Sequence, residues 1–286
     1  MTVSNPPPLF PFITMSNRVF FAATFSALIA LPLLAETPAQ RLAQKSAEWF
    51  QGKEATHTLD CILSWQNDHG GWPQKDTTTK PFSGDREKLR GTFSDGATTG
   101  ELRLLARAAR LTGDNRYKKA LTKGIDHILA TQLKNGGWPQ HFPTKKESDK
   151  KATFRCMIPI IQLLRDLKDD DLTFLDASHR SSVETAIQKG IDCIINSQLV
   201  VKGERTGWSE YVETLAPAEA KLEKTPSING SETASILIFL MESDSPSLET
   251  IEAVRSGLAW IQESAFDGDT DWGDRVWQAY ADWQNP

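Results

Sequence analysis

Apolar residues recur at three- and four-residue steps along most of this chain, the spacing of helices that bury one stripe. Ala120, Leu121, Gly124, Ile125, Ile128 and Leu129 fall on one such stripe. Leu102, Leu105, Ala106 and Ala109 form another. Ile158, Ile161, Leu164 and Leu167 form a third, and Ile236, Leu237 and Leu240 a fourth. No stretch alternates with the period of a strand.

The stripes are copies of one another. Asp60-Cys-Ile-Leu-Ser-Trp-Gln66, Asp126-His-Ile-Leu-Ala-Thr-Gln132 and Asp192-Cys-Ile-Ile-Asn-Ser-Gln198 are spaced 66 residues apart in both intervals. The first two run on into Gly70-Gly71-Trp72-Pro73-Gln74 and Gly136-Gly137-Trp138-Pro139-Gln140, whereas the third keeps Gly207-Trp208. A worn fourth copy spans Ser247 to Ser264, with Gly257 matching Gly190 and Gly124. A helix of the other kind lies between successive copies. The pattern predicts an all-α fold of helix pairs repeated about three and a half times, an α/α toroid or incomplete (α/α) barrel. In the Gly-Gly-Trp-Pro turn, glycine supplies a left-handed stop and proline forbids resumption of the helix. Trp72 and Trp138 either seal the barrel ends or line a groove and stack on sugar rings.

Bulk composition narrows the function classes. The 286 residues are 39% hydrophobic and 24% charged, with a formal charge of −5, so no general affinity for nucleic acid is expected. Met15-Ser-Asn-Arg18 followed by an apolar run from Val19 to Leu34 reads as an export signal, removed after Ala35. The run is short for a membrane anchor and is interrupted by Pro32. Residues 1–14 then form an upstream extension, with Met1 or Met15 as the start. The expected mature protein is residues 36–286, one domain, secreted or periplasmic, monomeric and free of the membrane. Cys61, Cys156 and Cys193 are odd in number and lack metal-ligand spacing, which points to buried thiols rather than a zinc site.

Two resemblances follow from these residues. Gln66-x-x-x-Gly70-x-Trp72 and its copy at Gln132 fit the QW-type repeat of triterpene cyclases, but Asp269-Thr-Asp-Trp272 is a poor acid motif for such an isoprenoid-handling toroid. The second is more specific. Gly91-Thr-Phe-Ser-Asp-Gly-Ala-Thr-Thr-Gly-Glu-Leu-Arg103 resembles the GTFDNGATTGELR segment of polysaccharide lyase family 10, the α/α-toroid pectate lyases. The likeness continues through Lys123-Gly-Ile-Asp126, Met157 to Asp166, Lys189-Gly-Ile-Asp-Cys193 and Pro226-Ser-Ile-Asn-Gly-Ser-Glu232, covering roughly residues 40–260.

That resemblance implies cleavage of polygalacturonate, an anionic polysaccharide, by β-elimination. Calcium held by carboxylates acidifies the C5 proton, and an arginine removes it. Carried over position by position, the family's first aspartate is Ser94 here, with Asp95 one residue on, as a displaced catalytic or metal carboxylate or as a helix cap. The Thr-Phe-Asn-Asp segment that carries the calcium-binding aspartate is two residues shorter here, Thr153-Phe-Arg-Cys-Met157, and keeps no acid; Arg155 puts positive charge near the vacated position, as a candidate substrate contact or as a solvated loop residue. The arginine base maps to Lys221, and a contracted segment leaves Glu213 as the remaining metal ligand. Lys75, Lys88 and Arg90 would complete a basic groove, with Trp72 and Trp138 as stacking surfaces. The scaffold motifs persist where the catalytic ones have changed. The alternatives are therefore a lyase with a rearranged site and a non-catalytic pectin-binding relative.

Overall fold

The structure is a computed structural model, and it describes residues 36–144, 152–169, 175–209, 211–212 and 228–264. The helices are α1 (Pro38–Ala43), α2 (Ala47–Phe50), α3 (Lys53–Trp65), α4 (Thr99–Thr112), α5 (Asn115–Thr131), α6 (Phe154–Asp169), α7 (Ala177–Asn196), α8 (Gly230–Met241) and α9 (Leu248–Ser264). The 66-residue copies are α3, α5, α7 and the worn fourth, α9; the intervening helices are α4, α6 and α8. Each of α4, α6 and α8 packs antiparallel on the copy that follows it, while α4, α6 and α8 also touch in sequence, as do α5, α7 and α9. Two concentric rows result, as in an α/α toroid. Burial distinguishes them. Helix α8 is buried almost all round, from Glu232 to Met241 except Ser235, whereas α9 buries one stripe. The α4–α6–α8 row is therefore the inner one.

Repeated residues tie one copy to the next. The side-chain amide of Gln66 donates to Gly70 O and to Ala120 O on α5, at 3.0 and 2.9 Å. Gln132 does the same to Gly136 O and to Ala186 O on α7, both at 2.9 Å. Gln198 reaches Thr206 O and Ala253 O on α9, at 2.7 and 3.0 Å. On the outer surface Asp60 pairs with Arg116 at 2.8 Å, and Asp126 with His179 at 3.1 Å. The repeated glycines permit the two rows to approach. A Cβ on Gly190 would stand 2.9 Å from Ile161 Cδ1 and from the Trp138 ring, and one on Gly257 2.9 Å from Leu237 and from the Trp208 ring.

The turn after each outer helix also repeats. Helix α3 stops at Gln66, which is already extended, rather than at the glycine. The left-handed Gly70 and Gly136, with φ of +105° and +91°, instead close the following turn, Asn67 N to Gly71 O and Leu133 N to Gly137 O. In the third copy the equivalent bond spans Leu199 to Gly207, because a two-strand hairpin of β4 (Val200–Val201) and β5 (Glu204–Arg205) has been inserted. Short strands, not foreseen from the pattern, also cross between copies. The segment β1 (Gly91–Thr92) pairs with β2 (His141–Phe142), and β3 (Ala152–Thr153) pairs with β6 (Tyr211–Val212). At two residues each they are too short to leave a periodic signature. The three cysteines are free and buried. No helix among the described residues is long and apolar enough to cross a membrane.

Candidate functional site

The inner helices begin where the Gly-Gly-Trp-Pro turns end, so their N-termini and those turns share one rim. Thr98, just ahead of α4, accepts from the Trp72 amide at 2.9 Å, and Thr233 in the first turn of α8 accepts from the Trp208 amide at the same distance. Thr92-Phe93-Ser94 and Thr153-Phe154-Arg155 are equivalent stretches. Phe93 and Phe154 are fully buried anchors, each followed directly by one of these residues, Ser94 or Arg155, although Arg155 already lies in α6 whereas Ser94 precedes α4 by five residues.

The polar groups of the rim form a connected set. Gln140 donates to Ser94 Oγ at 2.7 Å, and its repeat equivalent Gln74 donates to the Asp95 carboxylate. Thr92 donates to Gln140 O at 2.7 Å and accepts from the Ser94 amide at 3.1 Å. The Cys156 thiol lies beside the hydroxyls of Thr153 and Ser94, and its pKa is pushed up to about 11 by burial, with the Asp95 charge adding to the effect. A nucleophilic role is thereby disfavoured. Asp95 is exposed, in a 3-10 turn (Ser94–Gly96) at φ +49°, a left-handed conformation that aspartate tolerates. It does not cap a helix, since α4 starts four residues later and its cap position is Thr98.

Arg155 is not a loop residue but lies in the first turn of α6. Its Nε donates to Glu232 Oε1 at 2.8 Å, and the Glu232 side chain is 5% exposed against 57% for Arg155. An otherwise buried carboxylate thus holds the guanidinium at the rim between α6 and α8. Lys75 is exposed, next to Gln74, and lines a neighbouring pocket with Lys88 and Arg90. Lys221 and Glu213 lie outside the described residues.

Trp72 and Trp138 require a correction. Both are 0% exposed, as is Trp208, and they donate their indole N–H groups to Ile62 O, Ile128 O and Ile194 O at 2.8, 2.8 and 2.7 Å. A ring with no exposed face cannot stack on a sugar, so these tryptophans are the seals between the rows. The repeat pattern alone could not separate the roles, because a seal and a platform recur with the same period.

Several rim residues were not singled out by the sequence. Gln74 and Gln140 end the duplicated Gly-Gly-Trp-Pro-Gln run, so their repetition was a usable signal. Glu101 was not foreseen. It is 2% exposed, accepts from Thr77 Oγ1 at 2.8 Å through one oxygen, and has a pKa raised to about 7 by burial. His127 is 3% exposed, stacked on Phe93 at 5.4 Å and edge-on to Phe142 at 5.1 Å, with a pKa lowered to about 4 by burial. As for a metal, no group of three His, Cys, Asp or Glu side chains converges among the described residues. Asp95 offers one carboxylate, and Glu232 is engaged by Arg155. This described part of the rim does not by itself make a calcium shell.

Comparison with known proteins agrees with the geometry. No curated protein sequence matches the chain. The family 10 polysaccharide lyase from Cellvibrio cellulosa has a similar structure, with 27% identity, a TM-score of 0.63, and coverage of 80% of this chain and 72% of that one. An aspartate-to-alanine variant of family 10 polysaccharide lyase from the same organism, solved in complex with trigalacturonic acid, is also 27% identical, with a TM-score of 0.62 and coverage of 82% and 74%. The family described as pectic acid lyase matches residues 53–274, most of the sequence and all of its helix pairs from α3 onward, so the chain belongs to the pectic acid lyase family.

Proposed function

We propose that this chain binds polygalacturonate along the rim at the N-terminal ends of α4, α6 and α8, as an exported member of its family whose grip on the polymer is better kept than its elimination chemistry. The observation that carries this reading is the charge on the two residues that follow the buried Phe93 and Phe154. One is a neutral serine, Ser94, and the other a guanidinium, Arg155, braced by the buried Glu232. A braced guanidinium suits a uronate carboxylate, to which it offers a charge-assisted hydrogen bond. It also sits at the positive end of α6, which favours an anion. The relative solved with trigalacturonic acid supports the choice of ligand.

The test is retention of the exported chain on immobilised polygalacturonate. Retention at low salt that falls away as salt rises is expected, because the exposed charges are screened beyond about 8–10 Å at 0.1–0.15 M. Passage straight through the column at low salt would refute the proposal. Arg155→Ala should weaken retention far more than a change at a lysine remote from the rim.

A second reading is favoured by the exposed Asp95 carboxylate, which Gln74 orients at the rim. In it, Asp95 and Glu213 would hold calcium, and Lys221 would take the C5 proton as the C4–O bond breaks and the C4 oxygen leaves with the departing sugar chain, a β-elimination. Calcium would supply neutralisation of the substrate carboxylate, while Lys221 would need a lowered pKa to act as base. The same preparation, given polygalacturonate with and without calcium, decides it. Calcium-dependent ultraviolet absorbance from unsaturated uronate supports this reading, and its absence over a broad pH range removes it.

A further inference from the structure

Beside the rim, the loop from Lys80 to Arg90 folds back on the end of α3 and borders an open depression of about 550 Å³. Its apolar wall is Trp65 and Phe82, with Pro73 adjoining, and its charged lining is Lys75, Lys88 and Arg90 with one carboxylate, Asp85. The wall is fixed in place. Trp65 Nε1 donates to Lys80 O at 2.7 Å, and the Trp65 and Phe82 rings meet edge to face at 4.9 Å. The Phe82 amide donates to Ser64 Oγ at 2.8 Å. Arg86 lies over the Phe82 ring and donates to Ser64 O and Gln66 O, at 3.0 and 2.9 Å. Unlike Trp72 and Trp138, Trp65 and Phe82 are only half-buried and keep surface toward the pocket.

The cations are arranged around this wall. Lys75 is exposed, Lys88 is exposed and paired with Asp85 at 3.1 Å, and Arg90 is anchored through Pro143 O at 2.9 Å. A pocket of ~300–1,000 Å³ is the size of a small-ligand site. The combination of an aromatic wall with lysines lining the same pocket is selective. A pyranose ring offers C–H groups to the aromatic wall, while a carboxylate on the same ring faces the lysines. A neutral sugar would use the wall alone, and a small anion the lysines alone.

We infer that this pocket is a uronate subsite in which Trp65 and Phe82 carry one galacturonate ring of the polymer and Lys75 and Lys88 take its carboxylate. This inference rests on the polygalacturonate reading and assigns to that ligand a platform other than the sealed tryptophans. Lys75 adjoins Gln74, whose amide reaches Asp95, so one chain of sugars passing along the rim would meet the pocket next.

Calorimetric titration of the full exported chain with a tetragalacturonate, and with its fully methyl-esterified form, tests the assignment. Trp65→Ala and Lys75→Gln are each expected to weaken tetragalacturonate binding about five- to tenfold. Lys75→Gln should leave the weaker binding of the ester unchanged. Lys75 is exposed, so its replacement tests the pocket even if Trp65→Ala fails to fold. Wild-type affinity in both variants would overturn the subsite while leaving the polygalacturonate reading intact. An equal effect of Lys75→Gln on acid and ester would overturn the carboxylate assignment. Failure of the wild type to bind tetragalacturonate would overturn both readings.

Discussion

Two buried titratable side chains give individual residues a measurable signature. Folding keeps on Glu101 a proton that the unfolded chain releases near 4.5, since burial raises its pKa to about 7. Stability from this group therefore declines as pH climbs from 4.5 to about 7, by about 3 kcal/mol in all. His127 acts in the opposite sense. Its pKa is lowered to about 4 by burial, then by His69 and Lys123, so the unfolded chain takes up a proton first as pH falls. Stability from His127 is full above 6.5 and drops by about 3 kcal/mol on the way down to 4. Between pH 4.5 and 6.5 the two slopes oppose each other. Glu101→Gln removes one of them, so urea midpoints of the variant should climb relative to wild type as pH rises from 4.5 to 7. A constant difference between the two proteins would show that Glu101 does not hold its proton. Neither residue was legible in advance. Glu101 sits in a motif that reads equally well as a charged helix start, and only its distance from water sets its chemistry.

At the level of helices and turns, the sequence was informative because one set of contacts is made repeatedly. The spacing of Ala120, Leu121, Ile125 and Ile128 gave the buried stripe of α5, and all four are buried. The repeated Gln and Gly were visible as identities but not as roles. Those roles are long-range bonds and close approaches, which periodicity along the chain cannot express. Gly190 offers a test in which two effects compete. Alanine in mid-helix is intrinsically better than glycine by roughly 0.5–1 kcal/mol. Its Cβ, however, would press 2.9 Å from both Ile161 and the Trp138 ring. Overpacking of this kind costs about 1–3 kcal/mol, so Gly190→Ala should lower the urea midpoint on balance. Gln132→Ala should destabilise by a similar amount, about 1–3 kcal/mol, because Gly136 O and Ala186 O lose their shared donor. A midpoint for either variant equal to wild type would mean that the rows part at that point without penalty.

Over the whole molecule, each copy is fastened to its successor by a glutamine, at the first two junctions also by an outer ion pair, and in two places by a pair of short strands. Such coupling predicts one unfolding transition. Tryptophan emission and far-ultraviolet circular dichroism should give the same urea midpoint, and separate midpoints would show that copies melt independently. The toroid class was legible here since the 66-residue period survives in Asp60, Asp126 and Asp192. The rim was legible only in part. Ser94, Asp95 and Arg155 were found through resemblance to a known motif. Trp65 stands in the first copy where the others have Thr131 and Ser197, and Phe82 lies in the loop outside the repeat, so no repeated identity announces a wall.

The glutamine staples bridge 54, 54 and 55 residues, so every one reaches the same depth of the following copy. Duplicating or excising a full 66-residue period leaves each donor opposite an equivalent carbonyl. Cutting by any fraction leaves donors facing side chains. Lineages built on this plan should therefore lengthen or shorten in whole increments, with odd-sized changes confined to excursions such as the hairpin at Val200–Arg205.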